Sequence, residues 1–366
     1  MQARDLGTYA DRVPVGLCIV ARYFAHALGL DYDEFVRDPE THYAMQLQFA
    51  KFHAEQLRDD FLTGPVVTVS PFFDNVVNAS AFGAEVVRPP GETPRALPVI
   101  HDLEAMAAVE VPGPEAGLWG TTIRWWQAME EFARDTEVTI GGMTGKVEPG
   151  PLAIGGEGPH MVAIDLAGTD FYWWQAEYPE QCRAFLSRIT DGMIGAERHF
   201  RRIDRRPRAA YGVAEDSAQA MSARMFSDFC IPYDERLYRA FGAGLRDGRG
   251  LHMCGQSAHL HSALSDELHI SSFNVFGHPV APAVAARNLG GKCMLWGNVN
   301  PLLMLNGTVQ EVRDASRECL RAMAPCGGFT LGDGANVCPG TPIENINALV
   351  DAAEDYGNAA RERGSG

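Results

Sequence analysis

From residue 65 to residue 334 one pattern recurs: a short β-branched or aromatic run closed by glycine, proline or a polar residue, then a stretch of helical length. "PVVTVSP" (65–71) opens the series, and "SAFGAEVVRPPGETPRALP" is a second strand region trailing into a proline-rich loop. The helix-like "TTIRWWQAMEEFARDT" leads into "EVTIGGMTG" (137–145), a strand ending in glycines. The long amphipathic "PEQCRAFLSRITDGMIGAERHFRR" precedes "RAAYGVAED" (208–216). "RGLHMCG", "LHISSFNVFG", "KCMLWGNVNP" and "GGFTLGDG" then follow in the same rhythm. Strands joined through helices pair in parallel, so this alternation confines the chain to α/β folds. Ahead of it, residues 1–60 read as mostly helical, with apolar residues of "YDEFVRDPETHYAMQLQFAKFHAEQL" at helical spacing.

About eight such strands predict a single (β/α)8 TIM barrel over 61–360, with 1–60 a helical segment packed on it. A doubly wound sheet is the alternative, but the G-x-G-x-x-G turn it would want after an early strand is absent. No stretch reads as an interdomain linker and no repeat of the solenoid kind is present. No run of about 18 apolar residues occurs. "MQARDLGTYADRV" lacks a signal-peptide core. A net charge of −16 argues against nucleic acid or an anionic membrane as partner. Eight cysteines without a disulfide-scaffold spacing fit a reducing cytoplasm.

Barrels of this class carry their chemistry at the carboxyl ends of the strands. Those ends hold Asp74, Glu215 and Asp216, His252 and Cys254, His278, Asn298 and Asn300, and then Asp333, Asn336 and Cys338, with Gln256 on the loop after Cys254. Asp74, Glu215, Asp216 and His278 are candidate catalytic groups. Asn298, Asn300, Asp333, Asn336 and Gln256 are candidates for substrate binding. Asn300 before Pro301, and Asn336 in a glycine-rich loop, also fit turn positions. Asp216, followed by Ser217, also fits a helix cap.

In "GLHMCGQSAHLHS" (250–262), His252 and Cys254 are one pleat repeat apart and project from the same side of an extended chain. An imidazole and a thiolate suit zinc, and Cys338, at another strand end, is the natural third ligand. Three protein ligands and one open position describe a catalytic rather than a structural zinc. His259 and His261 read as surface residues of a polar helix. Cys18, Cys182, Cys230, Cys293 and Cys319 read as core or incidental thiols, and Cys326 falls at the opposite strand end. The tryptophans of "IRWWQ" and "FYWWQ" read as core or lid packing, with an aromatic pocket as the alternative.

"HMCG", "GNVNP" followed by "NGTVQEV", and "GGFTLGDGANVCPGTPIENINALVDAAEDYG" together resemble the uroporphyrinogen decarboxylase superfamily. "EDSAQAMSARMFSDFCIPY" and "SPFFDNVVNASAFGAEVV" resemble its acidic segments. The resemblance is strong from about residue 208 onward and moderate over 60–100, and it implies the barrel fold. True decarboxylases carry an N-terminal arginine-rich loop, where this chain has only Arg12 and Arg22, and they lack His-x-Cys-Gly. The resemblance therefore lies closer to the zinc- and cobalamin-linked methyltransferases, and it implies a zinc site at His252, Cys254 and a late cysteine. In those enzymes that cysteine follows the glycine of GGF-x-L-x-x-G; here Ala335 stands there and Cys338 comes three residues later. The implied reaction moves a methyl group between a corrinoid (cobalamin) carried by a partner protein and a small thiol or methoxylated substrate. A decarboxylase of a porphyrinogen-like acid, with Asp74 stabilising pyrrole protonation, is the alternative.

Overall fold

The computed structural model describes residues 11–61, 66–242, 244 and 247–364, with side chains to 359. The chain divides into two compact units: a central one of Asp31–Gln48 and Pro65–Ala243, and a terminal one of Met1–Leu30, Phe49–Gly64 and Gly244–Gly366. Among the described residues no helix is long and apolar enough to cross a membrane.

In the central unit, β1 (Val67–Val69), β2 (Glu85–Val87) and β3 (Arg95–Leu97) are three-residue strands, and β2 and β3 form an antiparallel hairpin. β4 (Glu137–Ile140) and β5 (Met143–Pro149) form a second hairpin, where the sequence had suggested one strand ending in glycines. Gly141 and Gly142 turn the chain with φ of 56° and 78°, the paired left-handed residues that a two-residue hairpin needs. The far end of β5 lies parallel to β1. β6 (Tyr211–Ala214) bridges in parallel to Glu157. The helix Pro179–Asp204 backs this unit with Cys182, Phe185, Leu186, Ile189, Met193, Ala196 and Phe200, a stripe at three- and four-residue spacing. Proline at its first position and Arg205 in the left-handed region after its last residue fix both ends. Trp119 is wholly buried, and its indole N–H donates to Asn78 Oδ1 at 2.9 Å.

The terminal unit carries four parallel strands, β7 (Arg249–His252), β8 (Ser272–Asn274), β9 (Met294–Val299) and β10 (Phe329–Asp333), in the order β10-β9-β8-β7. Their register aligns Leu251, Phe273, Leu295 and Phe329 in one buried row across the sheet. Helix Pro282–Leu289 follows β8, helices Pro301–Asn306 and Val309–Met323 follow β9, and helix Ile343–Gly364 follows β10. All four strands run the same way, so their carboxyl ends share one edge. Within the described part of 1–60, helices Ala21–Leu28 and Pro39–Gln56 agree with the mostly helical reading, whereas the stretch before Ala21 is extended, Val15 bridging in parallel to Leu331 of β10. Arg12 anchors that segment through a two-pronged pair with Asp60, at 2.7 and 3.0 Å.

Candidate active site

The carboxyl edge of the terminal sheet collects most of the expected residues. His252 ends β7 and Cys254 lies two residues on, both half-buried, with their ligand atoms within 4.8 Å of one another. This is the same-side projection that extended backbone gives to alternate residues. The loop after β8 packs directly against them. Gly277 N–H donates to Met253 O at 3.2 Å, and a Cβ on Gly277 would collide with the carbonyls of Cys254 and Gly255. Gln256 braces the same two loops, its amide donating to Pro279 O at 3.2 Å while its Oε1 accepts the Ala258 N–H at 3.1 Å.

His278 N–H donates to Gly334 O at 3.1 Å, tying the loop after β8 to that after β10. Its ring Nδ1 is buried with no partner among the described residues. Asp333, at the end of β10, is fully buried. Its Oδ1 accepts the Cys18 N–H at 2.8 Å, and Oδ2 has no partner among the described residues. Burial pushes its carboxyl up to about 8, against the smaller opposing effect of the Cys18 N–H. Cys18, read from sequence as incidental, thus belongs to this edge, and its thiol donates to Asn336 Oδ1 at 3.0 Å. Val13, Val15 and Leu17 alternate with Pro14, Gly16 and Cys18, a short period of two that is the signal for this extended stretch.

The expected zinc trio is not assembled. Among the described residues, Cys338 does not bring its thiol within 4.8 Å of both His252 and Cys254. β7 and β10 are three strands apart, about 14 Å at the usual 4.7–4.9 Å per step, which a loop must cross. Burial raises the Cys338 thiol, with Arg22 opposing, and its carbonyl is held by Thr341 N–H and Oγ at 3.1 and 2.8 Å. The His252–Cys254 donor set itself, one imidazole and one thiol, fits a zinc ion.

Two asparagines are engaged in scaffolding. Asn298 is buried, its amide donating to Gly277 O at 3.1 Å and Val280 O at 2.7 Å. Asn300 Oδ1 accepts the Leu302 N–H at 2.9 Å as the cap of helix Pro301–Asn306. Replacing Asn300 by Ala is expected to cost about 1 kcal/mol in a urea melt, with Asp or Ser restoring most of it and KM unchanged. A raised KM at unaltered stability would instead make Asn300 a substrate contact.

In the central unit, Asp74 has φ 58°, a left-handed conformation that aspartate tolerates better than most residues. Its Oδ2 accepts the Tyr32 hydroxyl at 2.7 Å. Phe73 and Trp125 rings lie 4.8 Å apart beside it, and Trp125 also meets His42 at 5.2 Å. Trp126 packs in the core with its N–H on Gly150 O, whereas Trp173 is 72% exposed. Asp216 opens the short helical turn Asp216–Ala220 and is half-buried. Glu215 is not the open strand-end acid that its position suggested. It has no exposed surface, and its two oxygens accept the His160 and Met161 N–H groups at 3.2 and 3.1 Å, at the start of helix Pro159–Ala167. Burial first, then the neighbouring Asp234 carboxyl, raises it well above the usual range. His261 also departs from expectation: it is buried beside Ser257 and Asn288, and burial lowers it to about 4. Its helical spacing to Ser257 looked polar, and only the fold turns that face inward.

A family model described as Uroporphyrinogen decarboxylase (URO-D) matches residues 6–356. A methylated-thiol–coenzyme M methyltransferase of Methanosarcina mazei is 28% identical over 207 residues, covering 54% of this chain and 51% of that protein. A methylcobamide:CoM methyltransferase of Methanosarcina barkeri is 26% identical over 217 residues, covering 58% and 60%. The chain therefore spans about half to three fifths of the length of these curated relatives. The solved structure of a methyltransferase from Methanosarcina mazei superposes with a TM-score of 0.69 at 20% identity over 97% of both chains. That likeness places the chain in the (β/α)8-barrel class that the strand–helix alternation predicts. With the family match running through nearly the whole sequence, the chain belongs to the uroporphyrinogen decarboxylase (URO-D) family.

Proposed function

We propose that this chain is a methyltransferase that moves a methyl group between a corrinoid, carried by a partner protein, and a small thiol or methoxylated molecule. The observation that carries this reading is the His252–Cys254 pair, a nitrogen and a sulfur donor converging at the carboxyl edge of parallel strands. The names of the two methyltransferase relatives support it. In this reading His252 and Cys254 hold zinc, which when bound supplies a position where a substrate thiol sits as thiolate at neutral pH. Asp333, kept protonated by burial, holds a proton at Oδ2 for a departing oxygen or sulfur. His278 and Asn336 line the same edge and orient the substrate, and Asp216 and Asp74 are the central unit's candidate acids.

A second reading, decarboxylation of a porphyrinogen-like acid, draws on the constrained Asp74 and its aromatic neighbours. Against it, Arg12 is committed to Asp60, which leaves Arg22 as the other of the two guanidinium groups noted in the N-terminal segment where an arginine-rich loop would grip a polycarboxylate.

The test is an assay of purified protein with a methylated corrinoid protein and a panel of small thiols and methyl ethers. Turnover is expected only when the corrinoid is supplied. Methyl transfer with rigorously no corrinoid, or release of carbon dioxide from a porphyrinogen, would overturn the assignment.

A further inference from the structure

A cluster in the central unit is built from different residues and has no part in the proposed reaction. His160, Glu215 and Cys230 bring one nitrogen, one carboxylate oxygen and one sulfur within 4.8 Å of one another, and all three are buried. Four segments supply it: the start of helix Pro159–Ala167, the end of β6, the junction at Cys230 between two helices, and Asp234 in the first turn of helix Ile231–Ala240. Glu215, His160, Cys230 and Asp234 each have 0% exposure.

The hydrogen-bond pattern leaves ligand atoms open. His160 Nδ1 pairs with Ser217 Oγ at 2.9 Å, while Nε2 is buried without a hydrogen bond of ordinary geometry among the described residues, the buried Gln175 side chain also interacting with the ring. An imidazole held at one nitrogen by a polar group, with the other bare, is how a metal-ligating histidine is usually fixed. Tyr172, whose hydroxyl donates to Ser217 O at 2.7 Å, and Phe171 pack against the ring at 5.7 Å. Glu215 spends one lone pair of each oxygen on a backbone N–H and keeps the others. Asp234 faces Glu215 and shares a side-chain hydrogen bond with it, and neither of its oxygens finds another donor among the described residues. Among the described residues the Cys230 thiol meets a weak acceptor, Met221 Sδ at 3.8 Å. Two facing carboxyl groups and a thiol, without a cation beside them, are costly to bury, and a dication offsets that cost.

We propose that His160, Glu215 and Cys230, with Asp234 beside Glu215, form a second, buried site for a divalent transition ion, zinc by the nature of its donors. Binding displaces the Cys230 thiol proton and any proton held between the two carboxyl groups. Occupancy therefore rises with pH.

The test uses full-length protein carrying His252→Ala and Cys254→Ala, so that the other donor pair is silent. After production with added zinc, elemental analysis is expected to find about one equivalent per chain, and cobalt exchange a thiolate-to-cobalt absorption band. Adding Cys230→Ser should abolish the band and most of the metal, and His160→Asn should lower metal content severalfold. A folded double variant that holds no metal and shows no thiolate–cobalt band overturns the proposal and leaves Glu215 and Asp234 sharing a proton. So does a band that persists after Cys230→Ser. If Cys230→Ser does not fold, the band in the parent double variant decides.

Discussion

Cys254→Ala protein is expected to lose most of its zinc and to transfer methyl groups to a thiol about two to four orders of magnitude more slowly, while melting within a few degrees of wild type. The first half follows from coordination. His252 and Cys254 are the two donors that the fold brings together on the terminal sheet, so removing the thiol takes away the pair's sulfur ligand. The second half follows from acid–base chemistry. A thiol with an ordinary pKa of about 8.5 is only a few per cent ionised at neutral pH, and a metal-bound thiol is deprotonated outright. Small structural cost is expected because Cys254 is half-buried in a loop rather than in the core row of the sheet. Cys338→Ser is the companion measurement. Its thiol lies outside the reach of that pair, so it is expected to retain zinc. Loss of zinc in Cys338→Ser would show that the loop after β10 closes over the site. Elemental analysis and thiol-dependent turnover read both variants, and a wild type without zinc would move the decarboxylase reading ahead.

Asp333→Asn should stabilise the protein and disable it. The folded carboxyl is raised to about 8 from an ordinary 3.8, chiefly by burial. Between those values the folded state holds one proton more than the unfolded chain, so stability falls as pH rises through the window and levels off above it. Four units correspond to an upper figure of about 5 kcal/mol, and on the order of 3 survives local relaxation. Asparagine keeps the acceptor for the Cys18 N–H and carries no charge to desolvate. The variant should therefore gain on the order of 3 kcal/mol at pH 8 and nothing near pH 4. Asp234, Glu157 and Asp165, raised by burial to about 8, 7 and 7, give slopes of the same sign, so the readout is the difference between variant and wild type. Urea melts at pH 4, 6 and 8 measure it. Turnover should drop by roughly 10²–10⁴, the worth of a positioned acid. Unchanged activity would remove Asp333 from the mechanism, and an unchanged stability profile would show that its carboxyl titrates normally.

Three of the four terminal-unit strands, β8, β9 and β10, were legible because each holds aromatic or β-branched residues closed by a polar residue or glycine, whereas β7, RGLH, was legible from its place in the alternation. Placing His252, His278 and Asp333 on one edge needed only the inference that the strands run parallel. The pairing of "EVTIGGMTG" was half-read, since two adjacent glycines serve a strand end or a two-residue turn equally well in sequence. The extended segment around Val15 escaped because its alternation spans only Val13, Val15 and Leu17 and is interrupted by proline and glycine.

Sequence by itself determined which residues sit at strand ends, since local propensity and pleat period act over neighbouring positions. It thereby determined the His252–Cys254 pair. Tertiary structure alone decided what each strand-end group faces. Cys18 reaches Asp333 across 315 positions, and Glu215 meets His160 across 55. Whether a carboxyl opens to substrate, as expected of Glu215, or is sealed beneath a helix start depends on such distant partners. Burial then sets its charge, because the cost of desolvating a carboxylate is a property of everything packed around it and of no residue in its own segment.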